Sequence, residues 1–331
     1  MWFAKISLVT ATIVGGLVAS PQAAATPGRI PHPSPRTVPR VKPAAAFLNP
    51  TARFKATRST AAAANTASAV DKTAYYLSLG DSLAQGYQPI GGPPVFGGAP
   101  PGYDQGYADQ LFRLERGTYT QLRLVKLGCG GESTVSMLYG SQDPGVAASC
   151  GSPGFYQQHY PDGGTQLAEA VHFLEEHRGD VAFVTIDIGG NDLIGPSGLG
   201  PVATNLTTIL AELRAAVGPD VPIVGMNYYD PFAPQAWSQG GLSGLQAQVA
   251  ALAAANNLIE SSYNGAGDPV ADVETSFAVT DFTPVDGTPL DVVRACEWTW
   301  ICTSPPLGPD IHANSTGYSV IAQAFADQLG S

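Results

Sequence analysis

Side chains capable of nucleophilic catalysis stand at two distant places in this chain. The segment Gly80–Leu83 reads Gly-Asp-Ser-Leu and follows an apolar run, and the segment Pro309–His312 reads Pro-Asp-Ile-His. A serine hydroxyl attacks effectively when an imidazole takes its proton and a carboxylate orients that imidazole. Residues two apart in an extended segment point the same way, so Asp310 and His312 could converge. Ser82, His312 and Asp310 are therefore the candidate nucleophile, base and orienting acid.

Two more segments supply groups that could stabilise negative charge. Gly128–Thr134 reads Gly-Cys-Gly-Gly-Glu-Ser-Thr, and adjacent glycines let a backbone N–H approach a ligand closely. Gly189–Asp192 reads Gly-Gly-Asn-Asp, in which the Asn191 amide could donate to a developing oxyanion. Taken singly, Ser82 could be a helix cap and Asn191 part of a turn. Taken together, the four segments supply every group that acyl transfer requires.

The segments that must position these residues alternate between two kinds of hydrophobic pattern. Short apolar runs predict strands at Tyr75–Leu79, Leu122–Leu127, Val181–Ile188, Val221–Asn227 and Pro269–Phe277. Amphipathic patterns predict helices at Tyr107–Arg116, Gly164–His177, Pro201–Val217, Leu242–Asn257 and Ser315–Leu329. This alternation predicts an α/β fold, a three-layer α/β/α sandwich with a mainly parallel central sheet. Sites in such sheets form at the carboxyl ends of the strands, where the polar segments stand.

These four segments, in this order, resemble the four sequence blocks of the GDSL/SGNH hydrolase family. The resemblance extends over roughly residues 75–329 and implies the flavodoxin-like fold of that family. It also implies a carboxylic ester hydrolase in which Ser82 is the nucleophile and Asp310 and His312 complete the catalytic triad. We therefore expect a lipase or carboxylesterase that acts on lipid or other acyl esters.

The resemblance further implies an oxyanion hole formed by the backbone N–H groups of Ser82 and Gly131 and by the side chain of Asn191. We choose Gly131 because related secreted members often read Gly-Cys-Pro-Gly-Glu here, which aligns the glycine before Glu132. This chain has Gly130 where that pattern has proline, so Gly130 is the alternative donor.

Two other functions compete with a lipase. A carbohydrate or cell-wall O-acetylesterase would use the same chemistry, and a small acyl pocket would favour it. A non-catalytic surface-binding protein that has kept the fold predicts the loss of Ser82, Asn191 or His312, whereas all three are present. The sequence therefore favours an enzyme that acts on a small-molecule or lipid ester, and we expect it to be a monomer.

Motifs for other chemistries are absent from the sequence, which has no H-E-x-x-H, no phosphate-binding loop, no G-x-S-x-G and no convincing G-x-G-x-x-G. The acidic positions Asp281, Asp286 and Asp291 fit no EF-hand spacing and are interpreted as a solvated loop. The sequence therefore predicts neither a metal nor a cofactor. Residues 73–331 carry seven Lys/Arg against 26 Asp/Glu, and this negative charge argues against nucleic acid as a partner.

Residues 1–25 have the features of a signal peptide. Lys5 gives a positive start, the apolar run Ile6–Ala19 follows, and the small-residue stretch Gln22–Ala25 suits signal peptidase. The run is shorter than the roughly 20 apolar residues of a membrane span, and an uncleaved anchor is the alternative. We therefore expect a secreted, extracellular protein.

Residues 26–72 are rich in Pro, Ala, Thr and Arg and sustain no apolar period, which predicts a disordered basic linker. A pro-segment that assists folding is the alternative. Residues 1–72 carry nine Lys/Arg and one acid, a charge that would allow loose association with an anionic cell surface. Residues 73–331 then form the catalytic domain.

Four cysteines in a chain bound for an oxidising compartment predict two disulfides, for which three pairings exist. We choose the nearest neighbours and pair Cys129 with Cys150 and Cys296 with Cys302. The first bond would tether the glycine-rich loop. The second would constrain Glu297–Ile301, whose two tryptophans either form an apolar wall for an acyl chain or pack in the core.

Overall fold

The computed structural model describes residues 73–89, 103–140, 160, 164–195 and 197–330, and the structural statements below concern these residues. All of them belong to one compact unit, Ala62–Ser331. The predicted signal peptide, the predicted linker over residues 26–72 and Cys150 lie outside the described residues. Their assignments therefore remain predictions.

Five strands form one parallel sheet in the spatial order β2-β1-β3-β4-β5. The strands are β1 (Ala74–Gly80), β2 (Leu122–Lys126), β3 (Val181–Asp187), β4 (Ile223–Met226) and β5 (Val270–Ala271). The central strand β3 is buried along almost its whole length, as its β-branched apolar run predicts. The predicted α/β fold with a parallel central sheet is therefore confirmed.

Helices connect and cover these strands. They are α1 (Ser82–Gln85), α2 (Tyr107–Glu115), α3 (Thr134–Tyr139), α4 (Gln166–Glu176), α5 (Gly190–Ile194), α6 (Val202–Val217), α7 (Ala233–Ala266), α8 (Val273–Ser276), α9 (Leu290–Trp298) and α10 (Ser315–Leu329). Each of the five predicted helices is present, the last with the predicted bounds. Helices α1, α3, α5 and α8 are too short to show a clear apolar period, and α9 begins within the acidic segment that the sequence analysis interprets as a loop.

The strand order determines where a site can form. From β1 the chain moves to β2 on one side, and it then returns past β1 to β3, β4 and β5 on the other side. Right-handed crossovers therefore place α2 on one face of the sheet and α4, α6 and α7 on the opposite face. Helix α10 packs against α2 and completes the first face. The carboxyl ends of β1 and β3 form the topological switch point, where ligands bind in folds of this kind.

The fifth strand is much shorter than the predicted strand Pro269–Phe277. Only Val270 and Ala271 pair with β4. Asp272 then caps α8 by accepting a hydrogen bond from the N–H of Thr275, so the chain turns into a helix. The apolar pattern predicts a single longer strand because the cap interrupts it by only one residue.

Helix α7 is much longer than the predicted helix Leu242–Asn257. It contains a kink at Gly241, where φ is 57° and ψ is −151°. The buried positions Leu245, Val249 and Leu252 recur after the kink, whereas Ala233 is the only buried residue of the turns before it. The apolar period therefore marked only part of the helix. In the described part of the chain, no helix has both the length and the apolar content that a membrane span requires.

The acidic segment over residues 281–291 is not a solvated loop throughout. Pro284–Val285 (β6) and Thr288–Pro289 (β7) pair as an antiparallel hairpin, and α9 follows. Asp291 is buried in the first turn of α9, where one of its carboxyl oxygens has no hydrogen-bond partner. Burial, together with the nearby charge of Asp230, raises the pKa of Asp291 to about 8. The expectation of a solvated loop is therefore wrong for Asp291.

Gly80, the last residue of β1, adopts a conformation that glycine alone tolerates well. Its φ is +131°, and a Cβ at this position would collide with the backbone oxygen of Asp187 at the end of β3. The N–H of the next residue, Asp81, donates to that same oxygen at 3.1 Å. The absence of a side chain at Gly80 therefore allows the ends of β1 and β3 to meet.

We expect Gly80→Ala to lower the free energy of unfolding by about 3 kcal/mol or more, because it adds a backbone collision to a left-handed φ. The matched control is Gly179→Ala, at a φ of +83° with open space around the added Cβ. The free energy of unfolding of the control should fall by only about 1 kcal/mol. Urea unfolding of both variants measures the difference, and equal losses would show that the contact with Asp187 does not constrain position 80.

Candidate active site

Ser82 begins a short helix immediately after β1. The Asp81 side chain caps this helix by accepting a hydrogen bond from the N–H of Leu83 at 2.8 Å. The helix ends after one turn at Gly86, whose φ of 80° is left-handed. Ser82 therefore lies, partly exposed, at the carboxyl end of β1.

The three residues predicted as nucleophile, base and acid are adjacent in the structure. Oγ of Ser82 lies 2.8 Å from Nε2 of His312, and Nδ1 of His312 lies 2.7 Å from Oδ1 of Asp310. The backbone N–H of His312 donates to the same carboxylate oxygen at 2.9 Å. Burial acts to raise the pKa of Asp310, but the hydrogen bonds from His312 outweigh it and hold that pKa below its ordinary value. Asp310 is therefore suited to remain an anion beside the imidazole.

The loop that carries His312 is held by a second loop. The N–H of Trp300 donates to the backbone oxygen of His312 at 3.0 Å, and the N–H of Asp310 donates to the backbone oxygen of Trp300 at 3.1 Å. A disulfide joins Cys296 to Cys302 around this second loop. This bond and the paired backbones fix the position of the imidazole relative to Ser82.

Neither tryptophan of this loop lines the apolar pocket beside Ser82. The Trp298 ring packs edge-on against Phe277 and beneath the guanidinium of Arg294. The indole Nε1–H of Trp300 donates to Oε1 of Gln88 at 2.8 Å. The pocket beside Ser82 therefore uses neither ring, and the contacts of Trp298 favour the alternative that it packs in the core.

The glycine-rich loop and the Asn191 loop meet beside Ser82. The side-chain amide of Asn191 donates to the backbone oxygen of Glu132 at 2.9 Å. Gly131 has a left-handed φ of 80°, and an added Cβ on Gly130 would lie 3.9 Å from Cβ of Ser82. The structure therefore brings together all the predicted oxyanion donors, including the alternative Gly130. Cys129 in the same loop is buried, and its predicted partner is outside the described residues.

A buried glutamine that the sequence analysis did not identify joins two of these segments. Oε1 of Gln166 accepts from the N–H of Gly80 at 2.6 Å, and its Nε2 donates to the oxygen of Gly80 at 2.9 Å. Nε2 also donates to Oε2 of Glu132 at 3.1 Å. Gln166 therefore ties the end of β1 to the glycine-rich loop. The available signal was a polar residue one turn before Ala170 on the buried face of α4.

The aspartate that follows Asn191 anchors the same region from the other side. The backbone N–H and the hydroxyl of Thr134 both donate to the Asp192 carboxylate, at 2.8 and 2.7 Å. The amide of Asn205 on α6 donates to the Thr134 hydroxyl at 3.0 Å. The start of α3 and the start of α5 are thereby locked together around the glycine-rich loop.

A narrow pocket of about 80 Å³ opens beside Ser82 and His312. Its walls are mainly apolar, with contributions from Leu193, Ile194, Tyr228, Tyr229, Phe232, Leu252 and Ile311. Asp230 and Gln248 also line it, and the Gln248 amide donates to the Asp230 carboxylate at 3.2 Å. A carbonyl group bound next to Ser82 would therefore have an apolar substituent in this pocket.

The Glu132 carboxyl group should make stability depend on pH. Burial raises its pKa from 4.5 to about 7, because the hydrogen bonds from Ser136 and Gln166 compensate only in part. The folded protein therefore binds this proton more tightly than the unfolded chain. Raising the pH from about 5 to about 8 should destabilise the wild type relative to Glu132→Gln by about 3 kcal/mol. Urea unfolding across this range provides the measurement, and a pH-independent difference would contradict it.

Comparison with known proteins places this site in a family. The model of the GDSL-like lipase/acylhydrolase family matches residues 78–320. Among solved structures, an acetylxylan esterase from Geobacillus stearothermophilus is 15% identical, with a TM-score of 0.48 over 80% of this chain and 97% of its own. Phospholipase A1 from Streptomyces albidoflavus NA297 is 14% identical, with a TM-score of 0.47 over 77% of this chain and 99% of its own.

An extracellular lipase from Streptomyces rimosus is 20% identical, with a TM-score of 0.43 over 77% of this chain and all of its own. A search of curated proteins finds no match. The family match spans most of the chain and includes the Ser82, glycine-loop, Asn191 and His312 segments. The protein therefore belongs to the GDSL-like lipase/acylhydrolase family of carboxylic ester hydrolases.

Proposed function

We propose that the protein hydrolyses acyl esters through a serine acyl-enzyme, with Ser82, His312 and Asp310 as its catalytic triad. The observation that carries this proposal is the continuous hydrogen-bond chain from the Asp310 carboxylate through the imidazole to the Ser82 hydroxyl. This chain ends at an apolar pocket beside Asn191. An ester bound there would present its carbonyl carbon to the nucleophile and its carbonyl oxygen to hydrogen-bond donors.

The reaction has two steps. Nε2 of His312 takes the Ser82 proton as Oγ attacks the ester carbonyl, and the new oxyanion is stabilised by the N–H groups of Ser82 and Gly131 and by the Asn191 amide. The tetrahedral intermediate collapses, and the alcohol leaves with the proton from His312 while the acyl group stays on Ser82. Water, deprotonated by His312, then attacks the acyl-enzyme and releases the acid.

The shape of the pocket favours an acyl chain of moderate length. Its walls are apolar and its volume is about 80 Å³. A water-sized group needs about 10–15 Å³ of such space, so the pocket accommodates about six groups of that size. We therefore favour esters of short and medium-length fatty acids over palmitate.

A second candidate function is deacetylation of a carbohydrate. The residues that follow His312 border a separate groove, which is lined by five polar residues and one indole, namely Gln88, Gln105, Asn314, Ser315, Thr316 and Trp300. Amide and hydroxyl groups around an indole suit a sugar alcohol better than a lipid. In this alternative, the acetyl group would occupy only the start of the apolar pocket.

We further propose that the enzyme acts outside the cell as a monomer. This proposal rests on the signal-peptide features of residues 1–25 and on the cysteine content. A disulfide in the loop behind His312 suits an oxidising compartment. The basic residues in segment 26–72 would then be free to contact an anionic cell surface.

The proposed function predicts a defined activity profile. Hydrolysis of p-nitrophenyl esters from acetate to palmitate by the full chain should be fastest at about four to eight acyl carbons, the length that fits the pocket. Ser82→Ala should remove almost all turnover, because the covalent intermediate cannot form. A maximum at acetate, with activity on acetylated sugars, would favour the second candidate. Undiminished activity in Ser82→Ala would refute the serine mechanism.

The Asn191 side chain should act mainly in the transition state. One amide hydrogen bonds to the backbone oxygen of Glu132, which orients the group and leaves its other hydrogen for the oxyanion. We expect Asn191→Ala to lower kcat by about 10²–10³ with little change in KM. Asn264→Ala, an equivalent truncation on the exposed part of α7, is the control. A loss confined to KM would mean that Asn191 binds the ground state instead.

A further inference from the structure

Ser82 lies next to a pair of buried carboxyl groups that the mechanism above does not use. Asp81 ends the β1 turn and Asp187 ends β3, and their side chains are 3% and 0% exposed. The backbone N–H of Asp81 lies 3.3 Å from Oδ2 of Asp187, so the two buried carboxyl groups are close neighbours and each acts on the charge of the other. Two carboxyl groups in such contact, shielded from water, cannot both ionise at neutral pH. The pair therefore shares one proton.

The surroundings indicate which residue holds the proton. Asp81 accepts hydrogen bonds from the N–H of Leu83 at 2.8 Å and from the hydroxyl of Tyr228 at 3.2 Å. The electrostatic influence of His312 also favours its charged form. Asp187 accepts from the hydroxyl of Tyr107, and the negative charge of Asp81 disfavours its ionised form. Burial raises the pKa of both carboxyl groups, and that of Asp187 lies well above its ordinary value.

The other titratable groups around the pair do not favour the ionisation of both carboxyl groups near neutral pH. Tyrosines face it from β1, α2, the segment after β4, α7 and α10, namely Tyr76, Tyr107, Tyr228, Tyr229, Tyr263 and Tyr318. Burial raises the pKa of each of these hydroxyl groups, so they remain neutral. The acids Glu132 and Asp192 interact with Asp81 from the glycine-rich loop and from α5, and any negative charge on them adds to the repulsion that opposes a second ionisation in the pair.

We propose that Asp187 is a positioning residue for the hydrolytic reaction: its protonated carboxyl group donates to Asp81 and maintains a single negative charge beside Ser82. The inference rests on the proposed function, because the charge acts on the residues of that reaction. The ionised Asp81 caps α1 and so fixes the backbone of Ser82. Asp81 also lines the same pocket as His312, and its negative charge favours the imidazolium that forms when Ser82 attacks.

The arrangement has a consequence at alkaline pH. Loss of the shared proton would place two carboxylates in contact at the turn that carries Ser82. Their repulsion would separate the ends of β1 and β3, which Gly80 otherwise allows to meet. The reactivity of Ser82 should therefore fall reversibly as the pH rises through the ionisation of Asp187.

The test compares Asp187→Asn with Asp187→Leu in the full chain. An asparagine amide can still accept from Tyr107 and donate to Asp81, but it cannot ionise. We expect Asp187→Asn to keep kcat within about threefold near pH 7 and to lose the alkaline decline. Asp187→Leu should lower kcat by about 100-fold with KM unchanged, because the Ser82 turn is misplaced. Asp291→Asn removes another buried acid of raised pKa, one that does not line the Ser82 pocket, and should keep the wild-type profile.

Two further measurements test the role of Asp187 without using an ester substrate. The rate at which a fluorophosphonate labels Ser82 should follow the same pH profiles, and it requires no ester. An infrared difference spectrum of wild type minus Asp187→Asn near pH 7 should contain the carbonyl band of one protonated carboxyl group. Labelling and infrared results as expected, without hydrolysis of any ester, would support the shared proton and reject the proposed function. An unchanged alkaline decline in Asp187→Asn, or no such band, would overturn the role of Asp187.

Discussion

The site depends on the close approach of the carboxyl ends of β1 and β3. At Gly80 no side chain separates the two strands, and the N–H of Asp81 bonds directly to the backbone oxygen of Asp187. Because Ser82 follows one strand and Asn191 follows the other, this contact brings a nucleophile and an amide donor to the same point. Rotamer changes could not restore that geometry if the strands separated, since a packed interior resists movements of this size.

Buried polar groups hold the surrounding loops in register. The two hydrogen bonds between Gln166 and Gly80 extend backbone pairing beyond the last residue of β1, and the bond to Glu132 carries the connection to the glycine-rich loop. On the other side of the glycine-rich loop, the Asp192 carboxylate accepts from the backbone N–H of Thr134 and holds the start of α3. Such groups add little net stability, but a buried network with satisfied bonds admits only one arrangement. The donors of the site are therefore arranged before a substrate binds.

The sequence predicts correctly those parts of the molecule in which a clear hydrophobic pattern lies next to a reactive side chain. β1, β3 and α10 have strong periodic or apolar patterns, and Ser82 and His312 stand at their ends. The roles of Gln166 and Asp187 could not be predicted, because their partners come from distant segments and no local pattern reports a long-range hydrogen bond. The short β5 could not be predicted for a related reason, because the residue that caps α8 lies within an apolar run. The burial of Asp291 could not be predicted because it lies in a run of acidic residues that resembles an exposed loop.

Ser82 and His312 are 230 positions apart, and this separation has a consequence for the chain while it is being synthesised. The loop of His312 leads directly into α10, which Asn314 caps and which packs against α2. A ribosome-bound chain exposes Ser82 early, but it has no base until the final helix emerges and docks. Contacts of such long range also form late in folding, because a large loop must close first. Under the proposed mechanism, the nascent polypeptide therefore cannot hydrolyse an ester until α10 has docked.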